Sequence, residues 1–402
     1  MLARNMKVRQ GLGSRPWIVA AGIAGLLALS ACGSSGGGSS ASSAASASSS
    51  ATSASSSATS ASSSATSASS QTAAGALAAL AVKQPTPAIP ALADKPPAGK
   101  TVGLIWCTVP TCLTQVSTLQ QGISALGWHM KTFDFDVTQG PQAITAAFSR
   151  AIQAKPDYII FPAVFPEATV QASLEQAKAA GITVAQITGT SWSPSLVLGC
   201  LDCNPEAIQT GVVATKVAQA AGADPKIGLI TDPTLSAPAY ILKGAETQAQ
   251  AGGGSVTEVS VSLQDTPAQN NATVISYLQS HPDTQYLISA LDELTIGLPA
   301  ALKQAGLAGK VKLILSNGVT SSDLGLLSSG QVTALVLNEV QMSSWRALDL
   351  LVRTAAHEQI PASLTSPVGW VQAVTPSTAS SLSSELQAPS YEQAFLSAWH
   401  AG

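Results

Sequence analysis

The chain has 402 residues and a formal net charge of −3; 46% of its residues are hydrophobic and only 10% are charged. This length is sufficient for two or three domains. A nucleic-acid-binding protein needs a strongly basic face, so this composition argues against a nucleic-acid partner.

Residues 1–32 have the pattern of an export signal. Four basic residues stand before an apolar run of about 15 residues, which is shorter than the roughly 20 that a membrane-spanning helix needs. The run ends in Leu29-Ser30-Ala31-Cys32, which resembles the lipobox of bacterial lipoprotein signals. The resemblance implies cleavage before Cys32 and a lipid on its sulfur, with two or more acyl chains for stable anchoring. The alternative is an uncleaved membrane anchor with an incidental cysteine.

Residues 32–97 read as a disordered tether after the lipidated cysteine. Three tandem copies of SSSATSA fill residues 48–68, and every position is Ser, Ala or Thr. A seven-residue period can indicate a coiled coil, but no side chain here is large enough to offset the entropy of ordering. The last part of the tether, in KQPTPAIPALADKPPAG, is rich in proline and therefore stiffer than the repeats.

From Lys100 onward, short apolar runs alternate with segments of helical spacing. The first buried strand is predicted in KTVGLIWCTVP, and the helix after it carries Val116, Leu119, Ile123 and Leu126 on one face. Strands are also predicted in HMKTFDFDV, DYIIFPAV and ITVAQIT, with helices in PQAITAAFSRAIQAKP and EATVQASLEQAKAAG. This alternation predicts a parallel sheet with helices on both faces.

The pattern then starts again after residue 204. Further strands are predicted in KIGLITD, SVTEVSVS, QYLISA, KLILSN, VTALVLNE and GWVQAVT, with helices between them. The chain after the tether is therefore predicted to form two similar α/β halves of about 150 residues each.

The order of these segments resembles the type I periplasmic solute-binding proteins of ABC importers, in the ribose-binding-like branch. The resemblance is carried by LQQGISALGW, by PDYIIFPAVFPEATVQASLEQAKAAGITV, by LKGAETQAQAGGG and by SHPDTQYLISALDELTIGLPAALKQAG. It implies two doubly wound parallel-sheet lobes, joined by three crossovers, that close on a solute at the carboxyl ends of the strands.

The resemblance also implies how the chain divides between the lobes. Lobe 1 is expected to comprise residues 98–204 and 339–362, and lobe 2 residues 205–338 and 363–377. A C-terminal segment with a short helix is expected over residues 378–402.

The chain departs from the sugar binders of this family at several positions of the site. Thr188 and Gly189 stand where those proteins often have Asp-Arg, Ile241 where they have arginine, and Leu291 where they have asparagine. Asn317 replaces an aspartate, and Asn338 keeps the last amide. Because unpaired buried polar groups are costly, the missing charged groups disfavour a hexose or pentose bound in the usual way.

Aromatic residues near the strand ends favour a flat or partly apolar solute instead. The alternative for the two tryptophans of this set is packing within a lobe wall, and Asp292 could instead cap its helix with Glu293 in the first turn. The candidate ligand-binding residues are Trp106, Thr111, Phe165, Thr188, Trp192, Tyr240, Asp292, Asn317 and Asn338.

Four cysteines remain after Cys32, and an even number in an exported protein indicates two disulfides. Three pairings are open; we favour Cys107–Cys112 and Cys200–Cys203. The CLDC spacing of the second pair also suits zinc or redox chemistry, but no second pair of ligands or thioredoxin-like context accompanies it. We expect no metal and no cofactor.

No Gly-x-Ser-x-Gly, Walker loop or paired-carboxylate motif occurs, and the four histidines are scattered, so we expect a binding protein rather than an enzyme. The sequence predicts a monomeric, lipid-anchored, extracytoplasmic solute-binding protein that delivers a small molecule to an ABC permease. The alternatives are a receptor that signals to a membrane kinase or chemoreceptor, and an enzyme or adhesin on the same fold. A gene regulator is disfavoured, because no DNA-binding helix pair precedes residue 100.

Overall fold

A computed structural model describes residues 77, 79–80, 88–189, 193–201, 204–222, 224–316, 320–338, 340–361, 371–379 and 391–402. The predicted signal, Cys32 and most of the predicted tether lie outside these residues. No helix in the described part is long and apolar enough to cross a membrane.

Lobe 1 contains a five-stranded sheet with the strand order β2-β1-β3-β4-β5, in which every pair is parallel. Both β1 and β3 are buried along nearly their whole length, as expected for parallel strands covered on both faces. The strands are β1 (Thr101–Cys107), β2 (His129–Phe135), β3 (Tyr158–Pro162), β4 (Thr183–Ile187) and β5 (Cys200–Leu201), and the intervening helices are α1 (Pro110–Ala125), α2 (Pro141–Gln153) and α3 (Glu167–Ala179).

Lobe 2 contains a six-stranded sheet with the strand order β11-β10-β9-β8-β6-β7. Its strands are β6 (Lys226–Thr231), β7 (Ser255–Ser260), β8 (Tyr286–Ser289), β9 (Lys312–Ser316), β10 (Ala334–Asn338) and β11 (Val371–Val374). Its helices are α4 (Asn204–Ala220), α5 (Ser236–Gly252), α6 (Pro267–Ser280), α7 (Leu298–Gln304) and α8 (Ser321–Ser328), and a 3-10 turn spans Asp292–Thr295.

Alternate residues along the lobe 2 strands enter two separate cores. Leu229 and Ile288 belong to the core covered by α4 and α5, whereas their neighbours Ile230 and Leu287 belong to the core covered by α6, α7 and α8. Helices therefore cover both faces of this sheet. The predicted α/β fold of two parallel-sheet lobes is confirmed.

One strand runs against the predicted parallel direction. β11 pairs antiparallel with β10, with Asn338 opposite Val371 and Leu335 opposite Val374. β10 ends where the chain leaves for lobe 1, and the chain returns to lobe 2 at that same end. The returning strand therefore runs away from the cleft.

The last two described helices belong to lobe 1. Helix α9 (Val340–Ala355) contacts α1 and β4, and helix α10 (Glu392–Ala398) packs against α9. In the described residues the chain thus enters lobe 2 after β5, returns to lobe 1 after β10, re-enters lobe 2 at β11, and ends in lobe 1 with α10.

Two glycines let α4 and α5 approach each other closely. A Cβ at Gly211 would overlap the carbonyl oxygen of Ile241, and one at Gly244 would overlap the carbonyl oxygen of Ile208. Gly244, the first glycine of the LKGAETQAQAGGG segment, is therefore required by helix packing in lobe 2.

The Gly244→Ala variant is expected to lower the free energy of unfolding by about 1–3 kcal/mol, because the added methyl meets backbone atoms that cannot rotate away. Urea unfolding measures this effect. Gly325→Ala is the control, because that helical position faces open space, and it should be stabilising by roughly 0.5–1 kcal/mol. Equal effects of the two substitutions would contradict the packing role.

A buried polar and aromatic cluster joins the end of the predicted tether to the C-terminus on the back of lobe 1. Asp349, which is fully buried, accepts hydrogen bonds from Arg353 Nε at 2.9 Å and from Trp399 Nε1 at 2.6 Å. Arg353 also donates to the carbonyl of Pro90, and the Leu92 amide donates to the carbonyl of Ala398 at 2.9 Å. Residues 90–93 are thereby fixed to lobe 1.

The Asp349→Ala variant is expected to lose about 3 kcal/mol of unfolding free energy, because it leaves the Nε of Arg353 and the Nε1 of Trp399 buried without an acceptor while Arg353 keeps only the longer ion pair with Glu358, at 3.6 Å. The control is Lys100→Met, which removes the half-exposed ion pair with Asp157 and should cost less than about 1 kcal/mol. Denaturant unfolding of both variants measures the difference, and a loss for Asp349→Ala no larger than the control would refute the account of this cluster.

Candidate functional site

A cavity of about 90 Å³ lies between the lobes, where the carboxyl ends of the two sheets meet. In lobe 1 it is lined by Cys107 and Pro162, which end β1 and β3, and by Thr188, which follows β4. In lobe 2 its wall is formed by residues that follow β6, β7 and β8. Open α/β sheets bind ligands at this end of their strands.

The two lobes are in direct contact across this cavity. Ser236, the first residue of α5 in lobe 2, donates from its amide to the carbonyl of Val164 in lobe 1 at 2.9 Å. Its hydroxyl donates to the carbonyl of Ala163 at 2.6 Å. These hydrogen bonds hold the lobe 2 strand-end loop against the loop after β3, so the structure has closed lobes.

Three leucines of lobe 2 form the apolar side of the closed cleft. Leu235, Leu263 and Leu291 follow the ends of β6, β7 and β8, and all three line the cavity and pack against the lobe 1 core. Leu291 stands where the family's sugar binders have an asparagine. A polar position is thus replaced by an apolar contact between the lobes.

The Cys107–Cys112 disulfide is present, and both of its residues line the cavity. It ties the end of β1 to the first turn of α1, with the two Cα atoms 5.7 Å apart. Trp106 supports the same loop from behind, since its Nε1 donates to the Cys112 carbonyl at 2.6 Å. The predicted partner pair stays a prediction, because Cys203 and the side chain of Cys200 lie outside the described residues.

Thr188 occupies an unusual backbone conformation at the cavity wall. Its φ is 56°, a region that β-branched residues rarely adopt. Its amide donates to the Leu201 carbonyl at 2.6 Å, and its own carbonyl accepts from Gln186 Nε2 at 3.0 Å. At the next residue, Gly189, a Cβ would lie 2.8 Å from the Cβ of Ala163. The Thr-Gly pair therefore forms a tight turn where the sugar binders carry charged groups.

The other predicted ligand contacts are distributed over several environments. The rings of Trp106 and Phe165 are packed in the lobe 1 core, away from the cavity, because their neighbours Cys107 and Val164 take the cavity-facing positions. Tyr240 is half-buried against the α4–α5 core, and Thr111 lines the cavity beside the disulfide.

Asn338 is buried at the end of β10, and Trp192 and Asn317 lie outside the described residues. Ligand contact by each of the nine residues stays a prediction, to which the structure adds cavity-lining positions for Thr111 and Thr188.

Beside the cavity, a wider groove of about 720 Å³ carries three carboxyl groups. Glu293 lines both the cavity and the groove, and Asp292 and Asp323 line the groove. Asp323 is engaged in a capping box, because its Oδ2 accepts from the Thr320 amide at 2.8 Å and from the Thr320 hydroxyl at 2.6 Å. Asp292 does not cap its 3-10 turn, whose N-cap is Leu291.

Oδ1 of Asp292 and Oε1 of Glu293 are buried, and no N–H or hydroxyl group of the described residues donates to them. The carboxyl groups of the cluster are close enough to share a proton with one another. Burial raises the pKa of Asp292 well above its usual value, and the neighbouring carboxyls of Glu293 and Asp323 raise this pKa further. Glu293, which the sequence predicts only as a first-turn residue, lies in the segment that follows β8 and lines both the cavity and the groove.

The raised pKa of Asp292 makes a pH-dependent contribution to stability. A raised pKa in the folded state favours folding at low pH and costs stability as pH rises through the folded value. The Asp292→Asn variant should therefore melt above the wild type at pH 7–8. Its advantage should shrink toward about pH 4, near the ordinary aspartate value of 3.8.

Melting temperatures of both proteins, measured across this pH range, check this expectation. Asp283→Asn, at an exposed carboxylate of lobe 2, is the control and should show no such trend. A difference between Asp292→Asn and wild type that does not depend on pH would contradict the burial argument.

The family model of the periplasmic binding protein domain matches residues 117–359 of the chain. The chain belongs to this family of periplasmic binding proteins. The matched region begins within α1 and ends after α9, so it includes parts of both lobes, whereas β1, the disulfide loop and β11 lie outside it. Among curated proteins, no sequence match to this chain was found.

Solved structures with the same fold include three solute-binding proteins of ABC transporters. One from Agrobacterium vitis, bound with α-D-tagatopyranose, has a TM-score of 0.61 and 16% identity and covers 69% of this chain and 95% of its own. A substrate-binding protein of a sugar ABC transport system from Bordetella parapertussis has a TM-score of 0.63 and 15% identity, with coverage of 73% and 94%. One from Mycobacterium smegmatis with bound glycerol has a TM-score of 0.60 and 18% identity, with coverage of 71% and 97%.

The family and these neighbours are binding proteins rather than enzymes. Their identities to this chain are low, so the likeness establishes the fold and not the ligand. Family membership also implies an extracytoplasmic location.

Proposed function

We propose that this protein is a lipid-anchored solute-binding protein that captures a small molecule between its lobes and delivers it to the permease of an ABC importer. The observation that carries the proposal is the cavity between the lobes at the meeting point of the two sets of strand ends. Family membership supports it, and so do structural neighbours that are ABC transporter solute-binding proteins.

Closure would follow from contacts that exist only when both lobes meet. The hydrogen bonds of Ser236 to Ala163 and Val164 join the lobes, and Leu235 is buried in the lobe 1 core. A solute that touches both walls binds the closed form better than the open form and shifts the population by that difference in affinity. The permease would then recognise the closed form.

The anchoring part of the proposal rests on the lipobox at Cys32 and on the tether that follows it. The cluster around Asp349 holds residues 90–93 on the back of lobe 1. Leu77 and Leu80 also pack against the lobe 2 core, so the part of the tether before them would give reach around a permease.

A thermal-shift screen of the full chain in detergent tests solute binding, with glycerol, D-arabinose, D-fucose, D-tagatose and amino-bearing solutes as probes. A ligand at 100 times its dissociation constant stabilises by about 2.7 kcal/mol, which corresponds to several degrees in melting temperature. Small-angle X-ray scattering should give a radius of gyration for the ligand-bound protein that is no larger than that of the free protein. If the free protein opens, the radius of gyration should be smaller with ligand. Binding that leaves an open form unchanged in scattering would contradict capture between the lobes.

The Ser236→Ala variant is expected to weaken binding of any hit roughly 2–10-fold, because it removes a hydrogen bond that forms only in the closed protein. Ser328→Ala, at an exposed serine of lobe 2, is the matched control and should leave the affinity unchanged. Isothermal titration measures both. Unchanged affinity in Ser236→Ala would argue that closure does not accompany binding.

A further inference from the structure

We infer that the solute is a small organic cation, a primary amine with a short apolar body, whose ammonium group pairs with Glu293 where the cavity meets the groove. This inference rests on the proposed solute-binding function and names the chemical class that the same site would take.

The site carries an excess of negative charge. Three carboxyl groups, those of Asp292, Glu293 and Asp323, line the cavity and the groove. Of the residues that the structure describes around these two spaces, none is lysine, arginine or histidine. The ion pairs of the described residues also involve none of the three carboxyls. The site is therefore acidic and lacks a protein cation to balance it.

Hydrogen-bond accounting identifies which oxygens need a partner. Asp323 is served by Thr320, whereas no N–H or hydroxyl group of the described residues donates to Oδ1 of Asp292 or Oε1 of Glu293. The groups close enough to share a proton with these oxygens are the neighbouring carboxyls. A buried acceptor without a donor is costly, so a ligand that donates to it gains binding energy. An ammonium group carries three N–H donors and a positive charge, and both properties match these oxygens.

The raised pKa of Asp292, caused by burial and by the neighbouring carboxyls, is consistent with the same deficit of positive charge. Of the three carboxyl groups, only that of Glu293 lines both the cavity and the groove among the described residues. The ammonium group is therefore assigned to Glu293, with Asp292 beside it.

The remaining walls disfavour a heavily hydroxylated ligand. Polar side chains are present, but the Ser236 hydroxyl and the Gln115 amide nitrogen already donate to protein carbonyls. The apolar part of the wall is formed by Val109, Val137, Val164, Leu235, Leu263 and Leu291. Sugar hydroxyls against these side chains would lose their water partners without replacement, whereas methylene groups would not. The space of about 90 Å³ between the lobes is small beside the groove of about 720 Å³, so the short apolar body is placed in the cavity and the ammonium group where the cavity meets the groove.

Two other kinds of cation fit the described residues less well. Quaternary ammonium groups are recognised by aromatic faces, and no described residue that lines the cavity is aromatic. The described part also holds no group of three His, Cys, Asp or Glu residues arranged to bind a metal ion. A primary amine, which needs hydrogen-bond acceptors, is the remaining match.

The test compares amines with alcohols of the same shape on the full chain. Butylamine is paired with 1-butanol, ethanolamine with ethylene glycol, and 1,4-diaminobutane with 1,4-butanediol, at equal ionic strength. At least one amine should raise the melting temperature and give a titration isotherm, with an affinity about tenfold or more above its alcohol partner. Equal effects of the partners, or no amine effect, would overturn the inference.

Substitution at the carboxyl then locates the site. Glu293→Gln keeps the shape and removes the charge, so amine affinity should fall about tenfold or more. Glu246→Gln, at an exposed glutamate of the same lobe, should leave it unchanged. The melting temperature of each unliganded variant shows that it is folded. Undiminished amine binding by folded Glu293→Gln would overturn the assignment.

The outcomes separate this inference from the proposed function. If D-arabinose or glycerol binds and no amine does, the solute-binding function stands and the amine inference fails. If an amine binds on one lobe surface without involvement of Ser236 or Glu293, both fail.

Discussion

The parallel direction of the strands is the constraint on which the rest of this structure depends. Because parallel strands all end at the same edge, each sheet collects its strand-end loops on one side. In this protein the two collections face each other across one cavity. The disulfide, the turn at Thr188, the three leucines and Glu293 all follow strand ends, and for this reason they meet although they are far apart in sequence.

The chemistry of these loops differs between the two sides of the site. Three leucines bring apolar surface across the cleft; burial of Leu235 contributes at most roughly 1.5–3 kcal/mol, and the half-buried Leu263 and Leu291 contribute less. The Ser236 hydrogen bonds add direction to this contact. Such an interface favours the closed lobes by itself, so a modest difference in solute affinity is enough to shift the population. Asp292 and Glu293 form the polar end of the site. A ligand that donated a hydrogen bond to Oδ1 of Asp292 or Oε1 of Glu293 would gain the most binding energy there.

The fold was largely predictable, because buried strands appear as continuous apolar runs and helices as amphipathic segments bounded by proline or glycine. The reversed direction of β11 was not, because direction depends on where the chain re-enters the sheet and not on the strand's own residues. The cluster that joins Pro90, Asp349 and Trp399 could not be predicted from the sequence, because its contacts are distant along the chain. Arg353 and Pro90 are 263 residues apart, and Asp349 and Trp399 are 50 residues apart.

The site was predicted in place more than in detail. The resemblance located the strand-end loops, and spacing favoured the Cys107–Cys112 disulfide that the structure contains. The tryptophan at position 106 was chosen because it ends a strand, but the last two residues of a strand point to opposite sides, and Cys107 takes the cavity side. The sequence predicts only a first-turn position for Glu293, because the burial of its Oε1 atom and the charges around it depend on the folded loops.

The most direct test of this account is a crystal structure of the protein grown with the solute that most raises its melting temperature. The account predicts density for that solute between the lobes, in contact with the wall formed by Leu235 and Leu291 and with the Glu293 carboxylate, while Ser236 bonds to the loop after β3. Density for the solute on the outer surface of one lobe, with the cavity between the lobes unfilled, would contradict it.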